Sequence, residues 1–164
     1  MRYFKRHCAC AAIALGTMSS ASYASDVTTI MTEAFQAICI ASDVVEAAYA
    51  DLSKSNGWEV LDTAAFADAT VQSSYAKLIG YDPIASTFGT AKDSGQPYCS
   101  IQAMQADINA LSEWVNSTLN VLGEEVIPGM VIKTVYDVEI ESAPSVKTVT
   151  VQFAFGAISL IASR

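Results

Sequence analysis

The sequence predicts an α+β fold: one antiparallel sheet of about four to five strands, built as two hairpins, with two to three helices packed on one face. Three observations predict it. Val27, Ile30, Met31, Ala34, Phe35, Ile38 and Cys39 recur at helical spacing and make one apolar stripe. Residues 84–91 and 98–104 alternate as strands, and so do residues 130–140 and 149–162. Between these pairs, Ile108, Leu111, Val115, Thr118, Leu119 and Leu122 form a second helical stripe.

Residues 1–24 read as a secretory signal. Arg2, Lys5, Arg6 and His7 supply a positive start, and residues 8–15 supply a short apolar run. Ser22 and Ala24 suit a cut after Ala24, and Ser19 and Ala21 suit one after Ala21. The apolar run is far shorter than the roughly 20 residues a membrane span needs. The expected product is a single α+β domain, residues 25–164, with a periplasmic or secreted location. Cys8 and Cys10 leave with the leader, so Cys39 and Cys99 remain in an oxidising compartment, where a lone pair bonds.

Taken in order, the first helix carries Cys39 at the end of its apolar face. Ser42 and Asp43 restart a helical pattern, with Asp43 and Glu46 at capping-box spacing. Val44, Val45, Ala48, Tyr49 and Leu52 make the second apolar face, and Asn56-Gly57 supplies a left-handed stop. Residues 58–61 suit a short strand or an extended turn, with Trp58 folded back on the helix or offered to a sugar ring. Residues 64–69 suit a helical turn, and residues 71–81 fit helix or strand equally. In the first hairpin, Ile84, Ser86, Phe88 and Thr90 share one face; Cys99, Ile101 and Ala103 share one on its partner. Cys99 therefore points to the core, where the first helix delivers Cys39, and a disulfide between them follows. Asp107 caps the next helix, and Gly123 ends it. Residues 124–129 read as a turn. In the last third, Met130, Ile132, Tyr136, Val138 and Ile140 alternate with more polar positions, and Val149, Val151, Phe153 and Phe155 share a face after the Pro144 turn. Gly156 reads as a bulge within one long final strand, placed centrally in the sheet.

Nine Lys and Arg against seventeen Asp and Glu give a net charge of −8. Without Arg2, Lys5 and Arg6 the bases fall to six, and the balance becomes −11. Such a surface repels nucleic acid and anionic lipid and suits a cationic protein partner. The lone histidine, His7, sits in the leader, so the mature chain lacks histidine for triads, acid–base work or common zinc sites. No glycine-rich phosphate loop and no nicotinamide or flavin fingerprint occurs; no cofactor, metal site or catalytic residue is expected. Asp137, Glu139 and Glu141 line one side of a strand, with Glu124 and Glu125 before it. They suit an aggregation-resistant sheet edge; carboxylate-dependent hydrolysis would need two of them in one concave pocket.

The hairpin tip Asp93, Ser94, Gly95, Gln96, with Tyr98 after Pro97, is the candidate binding loop. Its Ser-Gly-x-x-Tyr pattern resembles the inhibitory loop of bacterial periplasmic lysozyme inhibitors. Phe35-x-x-x-Cys39, Asn56-Gly57-Trp58 and Cys99 together resemble a set of uncharacterised exported two-cysteine proteins of alphaproteobacteria. That resemblance implies a periplasmic α+β domain and no assigned activity. The expected function is a small exported non-enzymatic protein that binds a protein or small ligand. The alternatives are an inhibitor or immunity-type protein against a cell-wall hydrolase such as lysozyme, and a carboxylate-dependent hydrolase.

Overall fold

A computed structural model describes residues 20–62, 70–80, 82–129 and 131–164, with side chains described from Asp26 onward. Most of the assigned leader and the helical turn expected at residues 64–69 lie outside the described residues. The first apolar stripe folds as its spacing requires. Helix α1 (Ser20–Ala34) runs into one π turn (Phe35–Ile40), and Val27, Met31, Phe35, Ile38 and Cys39 are all buried. The wider winding is carried by the Ala41 N–H, which donates back to the Gln36 carbonyl at 3.1 Å.

Helix α2 (Glu46–Ser55) starts later than the capping-box spacing suggests. Asp43 and Val44 both take positive φ, +50° and +53°, so the chain turns there instead of continuing a helix. The Asp43 carboxylate is drawn away from the helix: it accepts from the Ser145 N–H at 2.8 Å, 102 residues on. Val45 becomes the N-cap and is exposed, whereas Val44 is buried in the turn. Gly57, at φ +75°, stops α2 as expected, and the buried Trp58 folds back with its N–H on the Ser53 carbonyl at 3.0 Å.

Eight strands follow, not four to five: β1 (Glu59–Val60), β2 (Val71–Ile79), β3 (Asp82–Thr90), β4 (Pro97–Ala103), β5 (Asn120–Ile127), β6 (Ile132–Glu139), β7 (Thr148–Ala154) and β8 (Ala157–Ser163). Helix α3 (Ile108–Thr118) separates β4 from β5, and the Asp107 carboxylate caps it by accepting from the N–H groups of Asn109 and Ala110. The antiparallel sheet has the order β1-β2-β3-β4-β8-β7-β6-β5. Each half is thus a helical segment followed by a four-strand meander, and the last strands of both halves pair at the centre.

Three corrections account for the additional strands. The stretch that fits helix or strand equally forms β2 over Val71–Ile79. The stripe of α3 ends at Thr118, and residues expected as helix tail and turn instead form β5. Asn120, Val121, Val126 and Ile127 pair with β6, and Gly123 sits at a register shift. Gly156 is not a bulge: with Phe155 it forms a two-residue turn between Ala154 and Ala157, which splits one long strand into β7 and β8. Phe155 and Gly156 have φ of +52° and +82°, as a type I′ hairpin turn requires.

The helices pack on one face of the sheet. That face presents Tyr75, Ile84, Phe88, Ile101, Leu160, Val149, Val151, Tyr136 and Val138, all buried. Cys39 and Cys99 meet there in a disulfide with Cα atoms 5.4 Å apart, as the two periodicities require. Tyr49 of α2 is fully buried against Phe88 and Tyr75, and its phenol oxygen accepts from the Ser86 hydroxyl at 3.0 Å. Burial pushes the Tyr49 phenol pKa up, and the Ser86 hydrogen bond works against that rise. Among the described residues, no helix is long and apolar enough to cross a membrane.

Candidate functional site

Alternation along a strand gives the sheet a second face, and no described helix packs on it. Its composition departs from the rest of the chain. Across the described residues of β2, β3, β4, β8 and β7 this face carries no charged side chain, although the chain holds seventeen acids. Exposed strand positions ordinarily mix charged residues with Ser, Thr and Gln. Here the register lines up Ser74, Thr87, Ser100, Ile161, Thr150 and Val135 across successive strands. Ser74, Thr87, Ser100 and Thr150 are buried. Small side chains along this row let the coiled sheet sink into a trough, and their longer neighbours shade them.

The trough encloses about 450 Å3 and is lined mainly by the central strands β4, β8 and β7. That volume lies within the range of small-ligand sites. Ser100, Gln102, Thr150, Gln152, Ser159 and Ser163 contribute hydroxyls and amides, and Lys133 of β6 adds one ammonium group at the side. No described residue hydrogen-bonds to any of these side-chain groups, and none pairs with Lys133. On the same face, Glu125 of β5 stands diagonal to Lys133, two residues from its register partner Ile127, and Asp137 of β6 stands four residues along; neither forms an ion pair with Lys133. These donors and acceptors are therefore open to a ligand.

Aromatic side chains mark both ends. Tyr98 opens β4 opposite Ser163, and Phe155 sits at the turn that opens β8. The seven residues of β8 separate them by roughly 20 Å. Gly89 makes room for Tyr98: a Cβ there would lie 2.9 Å from the phenol oxygen and 3.0 Å from the ring, and would also run into the Thr70 carbonyl. The Tyr98 ring is thereby laid down against β3 and half-buried, with the trough beside it. Phe155 is 99% exposed and held at positive φ, a conformation that costs an aromatic residue about 1 kcal/mol or more.

The sequence-predicted loop divides between two surfaces. Asp93, Ser94, Gly95 and Gln96 form an exposed tip, braced by the Gly95 N–H on the Ala91 carbonyl at 2.8 Å and by the Gln96 N–H on the Ser94 hydroxyl at 3.2 Å. Tyr98 does not share that tip, because it belongs to β4 and lines the trough. The acidic group is spread as well. Asp137 faces Gly123 on β5, while Glu139 and Glu141 border a separate hollow of about 560 Å3 with Asn120 and Leu119. The Asn120 amide donates to Glu139 at 3.5 Å. Among the described residues, no three His, Cys, Asp or Glu side chains converge as a metal site requires.

The trough was missed from sequence because its residues come from four strands and look unremarkable singly. The signal that was present is negative: Tyr98, Ser100 and Gln102, then Thr148, Thr150, Gln152 and Ala154, then Ser159, Ile161 and Ser163 alternate with core residues yet include no charge. Against family models, curated proteins and solved structures, the chain finds no match.

Proposed function

We propose that this chain is an exported, non-enzymatic binding protein that holds an extended polar ligand in the trough of its open sheet face. One observation carries the reading: hydroxyl, amide and ammonium groups without intramolecular partners converge on one cavity bounded by two aromatic residues. The buried disulfide supports assembly in an oxidising compartment, which for this chain is the periplasm or the exterior. The acidic balance of the chain suits a carrier and disfavours nucleic acid.

The test fills the trough. Ser100→Trp places a large ring on its floor and leaves the core face of β4 untouched. Backbone amide spectra of the wild type, titrated with oligosaccharides and short peptides, should show shifts confined to β4, β7 and β8. Those shifts should vanish in Ser100→Trp. Shifts that map to the helices, or that survive the substitution, would remove the reading.

A second reading rests on the braced tip of residues 93–96, an exposed and preorganised loop on an acidic chain. It acts as an inhibitor of a cationic cell-wall hydrolase such as lysozyme. Inhibition that persists when Ser94 and Gln96 are both replaced by alanine would dispose of it.

A further inference from the structure

We infer that the trough selects an oligosaccharide carrying a carboxylate, with Lys133 reading the acid group and Tyr98 stacking on a sugar ring at the far end. The inference rests on the binding role proposed above and names the chemistry of its ligand. An extended peptide would need backbone partners, but the strands beneath the trough already spend theirs on one another: β4 on β3 and β8, and β7 on β6 and β8. What remains open is side-chain hydroxyl and amide, which pair with hydroxyls in either direction. A sugar chain offers such hydroxyls around its rim and apolar C–H faces to an aromatic ring. Tyr98, laid beside the trough over Gly89, presents such a ring, and Phe155 presents another roughly 20 Å away, the length of β8.

Lys133 sets the charge of the ligand. It is the one charged side chain lining the cavity, it is half-buried, and no described acid pairs with it. Its direct register neighbours on the same face are Gln152 and Ile127, both uncharged; Glu125 stands diagonal to it on β5 and does not pair with it. A partly buried ammonium with no ion-pair partner favours one anion beside it, and a hydrogen bond to an ionised group is among the stronger single contacts. The acidic balance of the whole chain works against a polyanion, so the fitting ligand carries its acid sparsely.

The test uses matched sugars and the full chain. Lacto-N-tetraose and its monosialylated form differ by one terminal sugar acid. N-acetylchitotetraose and its muramic-acid counterpart differ by lactyl carboxylates. Titration calorimetry should give tighter binding of the acidic member of at least one pair by about tenfold or more, with the advantage shrinking as salt rises. The pair that responds distinguishes a terminal sugar acid from a cell-wall glycan as the source. Lys133→Gln should erase the advantage of the acidic member, and Tyr98→Ala should weaken both members alike. Equal binding of both members, unaffected by Lys133→Gln, would overturn the carboxylate assignment and leave the trough standing as a neutral site. Absence of binding by all four sugars, while a peptide shifts trough amides, would overturn the sugar assignment alone. Absence of any shift in the trough would overturn both.

Discussion

Replacing Cys39 and Cys99 together by alanine removes the covalent tie between the π turn and β4. The two residues are 60 apart, so the bond closes a long loop in the unfolded chain. The chain-entropy relation gives about 4 kcal/mol for a loop of that length. Both cysteines are fully buried, at 0% exposure, so the alanines also leave small voids that add to the loss. Against a usual stability of about 5–15 kcal/mol, the variant keeps a fold only if the core is at the stronger end. At about 2–4 °C per kcal/mol for a domain near this size, the midpoint falls by roughly 8–16 °C. Urea titrations followed by far-UV circular dichroism measure the loss directly. The slope against urea should also rise, because the untied denatured chain exposes more surface. Thiol titration of the denatured, unreduced wild type should find neither sulfur free. A loss below about 1 kcal/mol, with an unchanged slope, would refute the claim that this bond restrains the unfolded chain.

Four further outcomes follow from single contacts. Tyr49→Phe leaves the buried Ser86 hydroxyl without its acceptor and should cost about 1–3 kcal/mol in urea titration. The Tyr49 pKa is raised above its ordinary value of 10.0, so above that pH the unfolded chain loses a proton that the folded chain keeps. Wild-type stability should therefore fall as pH climbs past 10, and Tyr49→Phe should flatten that fall. Asp107→Ala strips the α3 cap from two N–H groups and should lower stability by about 1 kcal/mol. Gly89→Ala drives a methyl into the Thr70 carbonyl and the Tyr98 ring, and should cost about 1–3 kcal/mol while weakening ligand binding. Phe155→Asn places a tolerant residue at φ +52° beside Gly156 and should raise stability by about 1 kcal/mol, at the expense of binding in the trough.

The parts of the fold that were legible in the sequence are those where one periodicity ran uninterrupted. The stripe from Val27 to Cys39 and the alternation through Cys99 each fixed a face, and together they located the disulfide. The Asp107 cap and the Gly57 stop were legible because each acts within a few residues. Failures came where a distant partner decided. Asp43 has a capper's spacing to Glu46, but the Ser145 N–H takes its carboxylate and the turn goes left-handed. Leu122 continues the helical stripe of α3 on paper, yet β6 offers a ladder that residues 120–127 complete. A lone Gly156 reads the same as a bulge or a turn until Ala154 is seen paired with Ala157. The trough lay further out of reach, since four strands separated in sequence by as many as 65 positions, from Tyr98 to Ser163, must pair before it exists.

The distribution of charge separates the two faces by purpose. An edge strand needs protection from stray pairing, and charge gives it: Glu124 and Glu125 stand on β5, with Asp137 and Glu139 on its neighbour β6, while β1 at the other edge is only two residues long. Those carboxylates are accounted for by their place at the rim. Solubility could have been served by the same means on the open face, where Glu or Lys at alternate positions would fit the ladder equally well. The chain instead keeps that face of β2, β3, β4, β8 and β7 free of charge and fills it with Ser, Thr and Gln, residues that add little to a core and less to net charge. Neutral hydrogen-bonding groups in a concavity lose less on desolvation than ions do, so a ligand can strip their water at modest cost. Lys133 is the one charged side chain among the residues that line the trough, and it forms no ion pair with a described residue.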